Sequence, residues 1–203
     1  MIGILFATED EARPFLQKFE RGRFDGLTEG ETAHDDTYLV SLTGIGKIKA
    51  ALRTERLLQR HRPQTILHVG ACASLSDAHQ PGTIVGASQV FEGDRIELAA
   101  PTYPRMPLNV PFKGIPSGVL VTQDHTVQGR SELSYWQRIA DLSDMAGYPI
   151  AYVAATHGIP CSILKVVTGI MQVEDANYRR TRKDAMQALA TYLLHMVPTL
   201  VQR

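Results

Sequence analysis

Three acids in a row, Glu9, Asp10 and Glu11, follow directly on the apolar run Ile2 to Ala7, where a strand gives way to a helix. Carboxylates in a first helical turn suit the positive end of the helix dipole. Gly44, Ile45, Gly46 and Lys47 form a glycine turn of the kind that cradles a dinucleotide pyrophosphate, but that fingerprint needs a third glycine where this chain has Lys49. A turn that caps a strand and opens a helix accounts for these residues, and its amides could still hold an anion or a water. Gly70, Ala71, Cys72, Ala73 and Ser74 set Cys72 in the slot of a nucleophile elbow, with Ser74 where that strained turn needs its second glycine. No histidine or acid is placed to activate the thiol. Cys72 therefore reads as a buried structural side chain in a small-residue turn, where a ligand could approach the backbone closely. The seven histidines form no HxxxH or HxxH pair, and Asp35 with Asp36 make only a short acidic pair, so no metal site is expected. Tyr178, Arg179, Arg180, Arg182 and Lys183 make a basic run at a helix start, which reads as a solvated face.

The elements that must position these residues alternate. Thr37 to Leu42 reads as a strand leading through the Gly44 turn into a helix whose apolar face carries Ile48, Leu52 and Leu58, ended by Pro63. Thr65 to Val69 is a short buried strand, and Gly82 to Val90 and Gly118 to Thr122 are further strands. Pro101, Pro104, Pro107, Pro111 and Pro116 forbid a long helix between them, leaving an ordered loop or arm. Pro149 sits where a helix can begin, Ile150 to Thr156 supply its body, Gly158 and Pro160 stop it, and Ser162 to Val167 is a strand. Met186, Leu189, Ala190, Leu193, Leu194 and Val197 recur at helical spacing and should pack on the sheet. This alternation predicts an α/β fold, three-layer αβα with a central, mostly parallel mixed sheet, as a single domain over residues 1–203, with its site beyond the carboxyl ends of strands.

Composition narrows the function. The chain has 203 residues, 44% hydrophobic and 21% charged, with 21 basic and 21 acidic side chains and a formal net charge of zero. Without a uniform basic field, nucleic acid is not an expected partner. Two cysteines are too few for a disulfide framework. No apolar run approaches a membrane span, and Met1 leads into a strand without a basic leader, so the expected setting is the cytoplasm, away from membranes.

Several segments in order resemble the nucleoside phosphorylase and nucleosidase superfamily, especially its methylthioadenosine/S-adenosylhomocysteine nucleosidase branch. Ile2, Gly3 and Ile4 with Glu9, Asp10 and Glu11 resemble the family's opening strand and triple acid. Thr43 to Lys47 is similar to its SGIGK turn, and His68 to Leu75 stands where the family has TGSAGGL. Pro81 to Val85 resembles VGDIVV, and Val121 to Asp124 resembles VSGD. The most specific segment is Ser143, Asp144, Met145, Ala146 and Gly147, followed by Ile159, Pro160 and the strand to Thr168. It resembles the family's (V)(D/E)MEGxAIA helix and P-x-x-x-(K/R)-x-x-SD strand.

The resemblance implies breakage of a purine nucleoside's N-glycosidic bond through an oxocarbenium-like sugar. Glu11 would hold the attacking water. Ala146 stands at the family's ribose-binding glutamate and Gly169 at the aspartate that helps protonate the leaving base. Ala71 replaces a small polar serine, and Thr126 the aromatic residue that stacks on the base. Glu11 and Asp144 are the expected catalytic carboxylates. Glu9, Gly70, Ala71, Cys72, Asp124, His125, Thr126, Met145, Ala146 and Gly169 are the expected binding positions. Glu174 and Asp175 follow the lost aspartate within a few residues, and His125 could supply a proton or stack on a base. No cofactor is implied. The expected partners are a small-molecule nucleoside or nucleobase and a second copy in a homodimer, completed through the proline-rich interval from Ala99 to Pro116. Three readings follow: a hydrolase working with a displaced acid or a better leaving group, a nucleoside or nucleobase binding protein that has lost turnover, or a dimeric scaffold with a vestigial pocket.

Overall fold

The computed structural model describes residues 1–94 and 103–201. In chain order the elements are β1 (Ile2–Phe6), α1 (Glu9–Leu16), β2 (Thr32–His34), β3 (Tyr38–Leu42), α2 (Lys47–Arg60), β4 (Thr65–Ser74), β5 (Ile84–Glu92), β6 (Arg105–Pro107), β7 (Ser117–Thr122), α3 (Gly129–Trp136), β8 (Leu142–Asp144), α4 (Gly147–Thr156), β9 (Cys161–Ile170) and α5 (Tyr178–Met196). Period-2 alternation divides β1 between two cores. Ile2, Ile4 and Phe6 join the α1 and α5 side with Phe15, Met186 and Leu189, while Leu5 joins Leu57, Leu58, Ile150 and Ala154 on the α2 and α4 side. A strand covered on both faces reads as a continuous apolar run, which is how β1 appears in the sequence.

The strand order is β2-β3-β1-β4-β8-β7-β5-β6, with β9 pairing β4 and β5. β1 runs parallel to β3 and β4, and β9 runs parallel to β4 along Ile66 to Ser74. β8 is antiparallel to β4 and parallel to β7. Helices on both faces of this mixed sheet give the layered architecture expected from the sequence.

Three expectations are corrected. Gly70 to Ser74 is not a turn but the second half of the ten-residue β4, whose small side chains let it run between β9 and the elements above it. Asp144 lies on the short strand β8, ahead of the helix that begins at Gly147. The buried face of α2 carries Ala50, Thr54, Leu57 and Leu58, whereas Ile48 is 80% and Leu52 47% exposed. Leu58 of the expected stripe is buried as expected, but α4 packs on the face shared by Ala50, Leu57 and Leu58, which turns Ile48 and Leu52 outward. The proline-rich interval contains the edge strand β6 and the buried Phe112; its residues 99–102 lie outside the described part.

Candidate functional site

The sheet opens along one edge of β4. β1 pairs with residues 65–68 and β8 only with Ala73 and Ser74, so the stretch between them faces α1 instead of a strand. There the Ala71 amide donates to Glu11 Oε1 at 2.8 Å. Glu11 Oε2 accepts from the Ala7 and Thr8 amides at 3.2 Å each, and the Thr8 hydroxyl accepts from the Glu11 amide, a capping box at the start of α1. The acidic helix start legible in the sequence thus anchors one carboxylate over the gap. Gly70 makes this possible, because a Cβ there would lie 2.9 Å from Glu11 Oε1.

Across the gap lies a buried charge network. Lys165 on β9 is 2% exposed, and its ammonium donates to Asp144 Oδ2 and to His68 Nε2, both at 2.8 Å. His68 Nδ1 lies 3.0 Å from the Leu5 carbonyl, an acceptor only, so Nδ1 carries the proton and Nε2 accepts from Lys165. Burial, then the Lys165 charge, lowers the His68 pKa and keeps the ring neutral. Asp144 also accepts from the Thr122 hydroxyl at 2.6 Å and the Gly147 amide at 2.9 Å. Burial pushes its pKa up, but the Lys165 ammonium first, with His68 beside it, outweighs burial and holds the carboxyl well below its usual range. The sequence contained a signal for this network. Lys165 within Ile163 to Val167 and His68 within Ile66 to Val69 are polar residues in apolar strands, and a buried lysine is almost always paired.

On the other side, the loop after β7 is clamped to α3. His125 Nε2 lies 2.8 Å from Glu132 Oε1 and Nδ1 3.2 Å from Asp94 Oδ1. Glu132 also accepts from the Gln128 amide at 2.7 Å and from the Trp136 indole at 3.1 Å. The bond to Glu132 raises the His125 pKa against burial. Burial raises the Glu132 pKa, but its donors prevail and bring it to about 2. The His125 pairing therefore stabilises the clamp fully below pH 6.5 and fades as pH rises through the raised value. The Glu132 contribution is present above pH 4.5 and fades as pH falls towards 2. Fluorescence of Trp136, the single tryptophan, should be constant between these limits and drift on either side. His125→Gln should abolish the alkaline drift, and an identical profile in that variant would exclude the clamp.

Glu11, Ala71, Cys72, His125, Thr126, Asp144, Met145, Ala146 and Lys165 line one cleft of about 260 Å³, with Tyr178 and Arg182 of α5 at its wall. Gly169 lines an adjoining chamber of about 510 Å³, which shares Ala73, Thr126, Thr168, Met171 and Tyr178 with the first. A Cβ on Gly169 would meet the Tyr178 ring at 3.4 Å, so that ring lies over the bare glycine. Glu174 and Asp175 line this second chamber, and Asp175 accepts from the Asn177 amide and the Thr181 hydroxyl at the start of α5. Three expected binding positions lie apart from both chambers. Glu9 borders a small separate cavity and pairs with Arg13 at 3.9 Å. The Asp124 carboxylate accepts from the Lys47 amide at 2.8 Å, capping α2, and borders a depression with Tyr148 and Tyr152. Gly70 lies beneath the Glu11 carboxylate. Burial pushes the Cys72 thiol up to about 12, which leaves it unreactive.

In an αβα fold, the cleft where β4 parts from its neighbours, lined by carboxylates and a buried lysine, is the candidate site of the chain. The sequence profile of the phosphorylase superfamily matches residues 1–112, and the chain belongs to that superfamily. It is similar to 5′-methylthioadenosine/S-adenosylhomocysteine nucleosidase of Bacillus thuringiensis (strain Al Hakam), 28% identical over 107 residues that make up 50% of this chain and 46% of the relative. The relative from Bacillus cytotoxicus matches to the same extent, so the chain spans about half the length of these curated relatives. Among solved structures, Arabidopsis thaliana 5′-methylthioadenosine nucleosidase in apo form superposes with a TM-score of 0.81 at 20% identity, covering 100% of this chain and 96% of that one. Futalosine hydrolase of Helicobacter pylori gives 0.78 at 21% identity, covering 98% and 97%. A Helicobacter pylori nucleosidase mutant with 5′-methylthioadenosine in the active site gives 0.78 at 18% identity, covering 98% of each chain. At these identities the likeness is one of fold. Among the described residues, no helix is long and apolar enough to cross a membrane.

Proposed function

We propose that the cleft binds a purine nucleoside and that the chain hydrolyses its N-glycosidic bond slowly, with Glu11 holding the attacking water. The observation that carries this reading is the Glu11 carboxylate, fixed by three backbone amides and lining the same cleft as Asp144. Hydrolysis of a glycoside passes through a cationic sugar, which fixed negative charge stabilises. Asp144 acts on this charge from within its pair with Lys165 rather than as a free acid. Ala146 and Gly169 bring no carboxyl group to the ribose or the leaving base, so a proton donor worth about 100-fold to 10,000-fold is missing, and turnover is slow for that reason.

Binding without turnover is the second reading, favoured by the same two positions. The assembly we propose is a homodimer, supported by the exposed apolar side chains Ile45, which lines the cleft, Ile48, Leu52 and Tyr152. A panel of nucleosides incubated with the purified protein and followed by mass spectrometry separates the readings: released base and sugar support hydrolysis, and retained intact nucleoside supports binding alone. Glu11→Gln keeps an acceptor oxygen for the cap but removes the charge, and should slow any hydrolysis by about 100-fold. An unchanged rate would remove Glu11 from the mechanism.

A further inference from the structure

The basic run at the start of α5 is placed against physical expectation. Arg179, Arg180, Arg182 and Lys183 occupy the first two turns of a 19-residue helix whose first turn contains no acid, so Arg179 and Arg180 oppose the helix dipole. The structure separates them. Arg179, Arg180 and Lys183 are exposed, while Arg182 is half-buried and lines the cleft with Tyr178 one turn earlier. Arg182 Nη1 stands 3.8 Å from Asp10 Oδ2, beyond hydrogen-bond reach, and Asp10 is itself 74% exposed.

The other cations at the cleft are answered by carboxylates. Lys165 has Asp144 at 2.8 Å, and His125 has Glu132 at 2.8 Å and Asp94 at 3.2 Å. Among the described residues, Arg182 is the cation of the cleft lining with no counter-ion within hydrogen-bond distance. Its planar guanidinium suits two oxygens of one anionic group. The Arg182 wall stands beside the start of α1, which follows β1, and the His125 wall follows β7. In the sheet these strands are three spacings apart, roughly 14 Å. A base held at the His125 and Thr126 wall leaves the sugar and its 5′ substituent to extend across the same cleft, whose far wall carries Arg182.

We propose that Arg182, backed by Tyr178, receives an anionic 5′ substituent, so that the ligand class is a purine nucleoside carrying a phosphate or carboxylate at that position. This inference rests on the nucleoside reading above. Isothermal titration calorimetry with adenosine, adenosine 5′-monophosphate and adenosine 5′-carboxylate tests it on the whole chain. At least one of the two anions should bind 10-fold or more tighter than adenosine, and the one that does identifies the group. The advantage should shrink as salt is raised. Arg182→Gln should erase it, whereas Arg180→Gln, on the exposed side of the same helix, should retain it. Equal affinity for all three probes, or a preference that survives in Arg182→Gln, would overturn the proposal and leave the nucleoside reading intact. Binding of none of the three would overturn both.

Discussion

Replacing Lys165 by methionine is expected to lower the melting temperature by on the order of 10 °C, because a buried pair broken from one side costs about 3–5 kcal/mol in a domain of this size. The mutation leaves Asp144 and His68, both buried, without the ammonium that joins them. The loss should depend on pH in a specified direction. In the wild type, burial and Lys165 together lower the His68 pKa, so the ring enters folding neutral. Without Lys165, His68 Nε2 lies 3.8 Å from Asp144 Oδ2 and can itself become the cation. Without the Lys165 charge its pKa lies above the wild-type value, so the variant should lose less stability than the wild type as pH falls below 6.5, the usual value for histidine, and the gap between the two should narrow. Thermal melts at pH 5.5 and 8 check this. Adding Asp144→Asn should recover part of the loss at pH 8, since it removes the stranded charge. A melting temperature unchanged by Lys165→Met would mean that the network carries no stability.

The fold was legible where one residue's burial decides one element. Ile2 to Ala7 reads as a strand because both faces are covered, and Glu9 to Glu11 as a helix start because carboxylates suit the dipole; the capping box between Thr8 and Glu11 emerged only in the structure. The stripe from Met186 to Val197 likewise identified a helix packed on the sheet. The Gly70 to Ser74 segment was misleading for a physical reason. Small residues are the mark of a turn, but here they are small so that Glu11 can lie against Gly70 while β4 continues. In α2 two apolar stripes compete, and only the position of α4 selects the one with Ala50 and Leu57. The strand β8 is too short to show a period.

The site was legible in part for the same reason. Glu11, Ala71, Cys72, His125, Thr126, Asp144, Met145 and Ala146 come together although they belong to four separate segments, and it was resemblance rather than periodicity that grouped them. Lys165 and Arg182 were not assigned to the site. A lysine in an apolar strand signals a partner without naming it, and a basic helix start reads as solvated until one of its four cations is seen to turn inward.

Restoring the two missing acids is expected to have the largest effect on activity. Gly169 does not have a left-handed backbone, so aspartate fits its conformation. Its Cβ would touch the Tyr178 ring at 3.4 Å, an ordinary contact that leaves the carboxyl free to turn towards the chamber. Ala146 is 3% exposed but lines the cleft, so a glutamate there can extend into open space instead of the core. With Ala146→Glu holding the ribose and Gly169→Asp supplying a proton, release of adenine from methylthioadenosine should rise by about 100-fold or more over the wild type. Either change alone should yield far less, because groups that act in one transition state are not additive. On the proposed reading, Arg182 still faces an uncharged 5′ substituent and Thr126 offers no ring to stack on the base, so the double variant should stay well below an optimised enzyme. Adenine release by the four proteins, each first shown folded by circular dichroism, decides the matter. A double variant no faster than the wild type would show that the cleft has diverged beyond these two positions. One that loses an activity the wild type possesses would show that Ala146 and Gly169 belong to a different working mechanism.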